Sequence, residues 1–171
     1  MERMDLDILM IRVRMHLAHH RFVKARGLLE HVLEMEPGHG IAHGMMAWVC
    51  WQLLDDAERA TVHYRAAIHF APTHVPHYMA FAQLLADTGR VDDLRTLHGT
   101  AISVAGIDKA ALHELLATAL ERAERFAEAA DAFRDAARAT HEVSETQRLM
   151  RQHARVRARV RHPLWKRLLQ A

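Results

Sequence analysis

The chain has 171 residues, half of them hydrophobic, enough for one well-buried domain and too few for two ordinary ones. Its formal net charge of +2 hides a split: Glu142–Ala171 holds eight Lys or Arg against two Glu, so the rest of the chain is net acidic. A single cysteine, Cys50, excludes an internal disulfide framework and a thiolate metal cluster, and the longest apolar run, Met45–Trp51, is far shorter than the ~20 residues that span a bilayer. The opening MERMDLDILM lacks the basic, apolar, small-residue order of a secretory signal, so a soluble, cytoplasmic protein is expected.

Four Pro, seven Gly and long stretches of Ala, Leu, Arg, Glu and Met favour helix nearly everywhere, and no segment alternates as a strand. Taken in chain order, the elements predict four helical hairpins at about 6–39, 40–74, 75–109 and 110–142. In the first, Ala25, Leu29 and Val32 precede Pro37; in the second, Ala60, Tyr64 and Ala67 precede Pro72, each 35 residues further on. The third repeats the offsets with Leu94, His98 and Ala101 after the turn DTGRVDD, which contains Gly89. The fourth does so with Ala129, Phe133 and Ala136, within an apolar stripe that also takes in Phe126, Ala130 and Ala137. Residues 143–171 then form a basic cap: Ser144 and Glu145 open a helix with Leu149, Val156 and Val160 on one face and Arg148, Arg151, Arg155 and Arg159 on another. Pro163 ends it, and Trp165, Leu168 and Leu169 follow beside Lys166 and Arg167.

These small-large-small offsets, the closing Pro37 and Pro72, Gly89 and the Phe126–Ala129 pair resemble the tetratricopeptide repeat family over roughly Leu6–His141. The first helices lack the early Trp of that family, Leu94 stands where Ala is usual, and His141 replaces a third Pro. The resemblance implies an all-α, right-handed superhelix (solenoid) of about four hairpins over 1–142, with a concave inner face and a capping helix over 143–171. An irregular helical bundle is the competing arrangement. In size, repeat number and apolar groove the chain also resembles the small repeat chaperones of bacterial type III secretion.

Small residues mark where the two helices of a hairpin cross. The offsets from Val13 to Val32, Ala82 to Ala101 and Ala117 to Ala136 are 19, whereas Ala47 to Ala67 is 20. One residue is therefore inserted after Ala47, most cheaply in the turn LLDDAE. With Ala47 at the crossing, Met46 and Cys50 face the core and Trp48 and Trp51 face the concave side. The predicted groove runs from Met10, Arg14 and Leu17 across Trp48 and Trp51 to Met79 and Gln83. If the insertion lies elsewhere, Trp48 takes the crossing and both indoles are core.

Catalytic and metal motifs fail on inspection. HELLA, beginning at His113, has Ala117 where a zinc helix needs its second His, and GHGIAHG has the wrong spacing and context for a dinucleotide loop. Ser103 and Ser144 have no triad setting. The pairs His16/His20, His39/His43 and His74/His77 supply two ligands each, an incomplete metal site, and Cys50 reads as a small buried hydrophobe. The expectation is a non-enzymatic module without cofactor or metal. It binds an apolar peptide or partner helix, as an adaptor or chaperone in a bacterial assembly or secretion process. The alternatives are a homo-oligomeric scaffold using the Trp-rich surface, and contact of the basic tail (Arg148, Arg151, Arg155, Arg159, Trp165) with an acidic protein, nucleic acid or a membrane surface.

Overall fold

A computed structural model describes the backbone of residues 2–161 and the side chains of residues 5–160. Trp165 and the segment after Pro163 lie outside the described residues. The described chain is all-α, without a strand, in the order α1 (Glu2–Ala18), α2 (Phe22–Met35), α3 (Gly40–Leu54), α4 (Ala57–Phe70), α5 (Val75–Asp87), α6 (Val91–Ala101), α7 (Lys109–Arg122), α8 (Phe126–Ala139) and α9 (Val143–Arg161). By contacts the chain divides into two compact units, one up to Leu84 and one from Leu85 on.

Each hairpin turns on one residue in the left-handed region: His20, Asp55, Gly89 and Glu124, with φ of 55°, 51°, 70° and 59°. Three of these are not glycine, an uncommon choice that a helix-ending motif makes tolerable. In three turns the next N–H reaches back five residues: Arg21 to the carbonyl of His16, Arg90 to Leu85 and Arg125 to Leu120. In the second hairpin Asp56 reaches back six, to Cys50, which also accepts from the N–H of Asp55. The extra residue is therefore accommodated as a wider last turn of α3, between Ala47 and Asp55. Asp56 then caps α4 by accepting from the N–H of Arg59, as His39 Nδ1 caps α3 and Asp108 caps α7.

In the first unit Val13, Ala25, Leu29, Val32, Ala47, Ala60 and Ala67 are fully buried, so the small and medium residues that repeat in sequence are those that let the helices approach. Tyr64 stacks on Phe81 with ring centroids 5.6 Å apart. In the second unit Leu94, Leu112, Ala117, Ala129, Phe133 and Ala136 form the corresponding core. There α9 packs on α8 through Leu149, Val156 and His153, whose Nδ1 donates to the Ala130 carbonyl at 2.7 Å. Val160, expected on the packed face, is half exposed.

Candidate interaction cleft

The helix α3 is apolar almost all round, which usually marks a helix buried on every side. One of its faces is buried, through Ala42, Met46, Ala47, Val49 and Cys50. The other presents Ile41, Gly44, Met45 and Trp48, at spacings that place them in one stripe. This stripe lines a cleft of about 400 Å³ in the first unit, completed by Arg14 of α1, Tyr64 of α4, His74, and Pro76, His77 and Ala80 of α5. Trp48 is 38 % exposed, and its ring leans against Phe22, 6.1 Å away between centroids.

Of the seven groove residues expected from the sequence, Arg14 and Trp48 line this cleft. Met10 is core, 4 % exposed, because its side chain turns inward one turn before Val13. Leu17, Trp51 and Met79 are half-buried and Gln83 is exposed, and the lining does not include them. The wall residues that sequence reasoning missed lie two and six positions before the crossing alanines: Met45 and Ile41 before Ala47, Ala80 and Pro76 before Ala82. The signal was present, since those positions share a helical face with Gly44 and Trp48.

Gly44 does not open space for a guest. A Cβ there would lie 2.2 Å from Cε1 of His77, so the His77 ring already lies on the α3 backbone at that point. His77 is 6 % exposed, and burial, aided by neighbouring His74, pushes its pKa down to about 4, leaving a neutral imidazole at pH 7. The His74 and His77 ring centroids are 4.1 Å apart. Three buried polar atoms in this wall lack a hydrogen-bond partner: His74 Nδ1, His77 Nε2 and the Tyr64 hydroxyl, whose pKa burial raises to about 12.

Other histidines join elements. His43 Nε2 donates to the Pro37 carbonyl at 2.9 Å, so in the neutral ring His43 Nδ1 accepts from His63 Nδ1–H, 3.0 Å away. His98 Nε2 and His113 Nδ1 are also 3.0 Å apart. Among the described residues no three His, Cys, Asp or Glu gather as a metal site. Cys50 is buried, and that burial raises its thiol pKa.

In the second unit part of the arginine face of α9 is paired with acids. Arg148 makes a fork to both carboxylate oxygens of Glu114, at 2.7 and 2.6 Å, and also holds Glu145. Arg155 does the same with Glu121 at 2.6 Å for both bonds, and Arg159 lies 3.4 Å from Glu121 and over the Phe126 ring. Arg151 is exposed beside Met150. Arg148 and Arg155 thus close on acids of α7, because they lie one repeat period beyond Glu114 and Glu121.

No protein-family model and no curated protein matches the chain. Solved structures do. It is similar to a MamA RS-1 ArsTM double mutant (16 % identity, TM-score 0.70, 88 % of this chain and 84 % of that one). It is similar to MamA 41-end from Desulfovibrio magneticus RS-1 (15 %, 0.69, 96 % of each chain) and to PilF of Pseudomonas aeruginosa (18 %, 0.66, 90 % and 75 %). These are tetratricopeptide-repeat proteins, and the chain has their all-α fold of successive helical hairpins. No described helix is long and apolar enough to cross a membrane.

Proposed function

We propose that this chain of tetratricopeptide-repeat fold is a non-enzymatic interaction module that holds an apolar peptide segment or partner helix in the cleft of its first unit. The observation that carries the reading is Trp48, a residue 38 % exposed that lines a cleft with Ile41, Met45 and Pro76. A half-exposed indole among adaptable apolar side chains is a common anchor for a partner, since covering it removes apolar area from water and Met reshapes to fit. The role that fits is adaptor or chaperone in a bacterial assembly or secretion process. Affinity capture with wild type and Trp48→Ala tests it: the variant is expected to lose the specific partners at unchanged thermal stability. Recovery of the same partners in the same yield contradicts it.

Self-association is a second reading, favoured by a different surface. Ile8, Ile11 and Met15 of α1 are 49 %, 61 % and 45 % exposed and share one helical stripe. Sedimentation of wild type against Ile11→Asp decides it: a concentration-dependent dimer that the variant abolishes supports it, and a wild-type monomer throughout sinks it.

A further inference from the structure

The helix α1 is apolar on two opposite sides. Met10, Val13 and His16 are buried in the first unit, while Ile8, Ile11 and Met15, half a turn round the helix, are exposed. One core-facing stripe suffices to hold a surface helix, so the hairpin leaves the outer stripe unexplained. Its spacing of three and then four residues is that of the seam of a heptad, with Ile8 and Met15 at a and Ile11 at d. The positions that flank such a seam are e and g. Here e holds Asp5 and Arg12, and g holds Asp7 and Arg14, which also borders the cleft. All four are exposed, and none forms an ion pair with a described residue.

The order of these charges decides what the seam accepts. Acids flank its first half on both sides, and arginines flank its second half on both sides. In an antiparallel helix pair e faces e and g faces g. A second α1 laid antiparallel therefore sets Asp5 against the partner's Arg12 and Asp7 against the partner's Arg14, each twice by symmetry, while Ile8 lies against the partner's Ile11. A parallel pair would bring g to e of the next heptad, joining Asp7 to the partner's Arg12 and leaving Asp5 and Arg14 unmatched. From this we infer that α1 is the seam of an isologous dimer, packed antiparallel on α1 of a second copy of this chain, with the Asp5–Arg12 and Asp7–Arg14 pairs fixing the direction. The inference rests on α1 being a self-association surface. Because the seam is short and its ion pairs lie at the surface, the dimer is weak and loosens with salt.

Sedimentation over a concentration series at low salt tests the charge code. Wild type should show a reversible monomer–dimer equilibrium. Asp5→Arg with Asp7→Arg makes every flank basic and should weaken association by about tenfold, the scale of four surface pairs. Asp5→Arg with Arg12→Asp exchanges the charges within e, so each antiparallel pair survives with its signs reversed, whereas a parallel pair would set Asp7 against an acid. That variant should associate as wild type does. Oxidising an equimolar mixture of Ile8→Cys and Ile11→Cys chains should give mainly the mixed disulfide, since Cys50 is buried. This arm changes no charge and is independent of any effect of the charge variants on folding. A wild-type monomer at every concentration removes both this inference and the reading beneath it. A dimer that Ile11→Asp abolishes but Asp5→Arg with Asp7→Arg leaves intact keeps self-association and overturns the charge code. Loss of the dimer in the exchanged variant, or a disulfide dimer from Ile8→Cys alone, shows parallel helices and overturns the antiparallel seam.

Discussion

At the scale of single residues, two glycines in neighbouring helices carry opposite consequences. Gly44 is obligatory because the His77 ring occupies the space of its Cβ, 2.2 Å from Cε1. Gly27 of α2 is exposed, and nothing lies within 4 Å of the position a Cβ would take. Gly44→Ala is therefore expected to destabilise by roughly 1–3 kcal/mol through forced displacement of a buried ring. Gly27→Ala is expected to stabilise by up to ~1 kcal/mol through helix propensity alone. Denaturant melts of the two variants check this, and the same sign for both would refute it. The sequence alone does not mark Gly44 as a close contact, because its neighbour His77 is contributed by α5 and one-dimensional spacing does not report what leans on a helix from outside. His77, Tyr64 and His74 were invisible as wall residues for the same reason: hydrogen-bond satisfaction is a property of the packed state.

At the scale of elements, periodicity was the legible part. Repeated offsets of Ala25, Ala60 and Ala129 foretold a packed helix face because small residues are a steric requirement of close helices, and all three are fully buried. The offset of 20 at Ala47–Ala67 likewise located an extra residue, and the six-residue reach from Asp56 N–H to Cys50 is its physical form. The less legible part was pairing across repeats. Arg148–Glu114 and Arg155–Glu121 span 34 residues, so they follow from the same period, but the sequence alone shows a basic helix and two separate glutamates without joining them. Arg155 is half exposed whereas the Glu121 side chain is 15 % exposed, so removing the arginine leaves the more buried partner uncompensated. A double-mutant cycle of Arg155→Met with Glu121→Gln should give a coupling of about 1 kcal/mol, reduced from the buried-pair scale by solvent screening and weaker at high salt. Additive single effects would show that the fork contributes nothing.

At the scale of the whole molecule, several of the 15 histidines act as acid-labile joints. Burial foremost lowers the pKa values of His63, His77, His98 and His113; His43 adds to the shift at His63, His74 at His77 and His113 at His98, while Asp135 opposes it at His98 and His113. Each depressed histidine binds its proton more weakly folded than unfolded. The stability it contributes is present above the ordinary value of 6.5 and lost as pH falls toward the folded value, about 4 for His77. The carboxyls of Asp92 and Glu145, lowered by hydrogen bonds from Arg125 and Arg148, add a loss only at still lower pH. Unfolding free energy measured by denaturant should therefore drop between pH 7 and 5, before carboxylates titrate, and a flat profile over that interval would contradict the histidine account. The central claim, that the cleft at Trp48 is where this protein meets its partner, has a more direct test. A protein carrying Trp51→Phe and Trp165→Phe reports fluorescence from Trp48 alone. Saturating it with a captured partner is expected to shift the emission to the blue and protect the indole from acrylamide quenching. An unchanged spectrum and unchanged quenching with the partner demonstrably bound would place the interaction elsewhere.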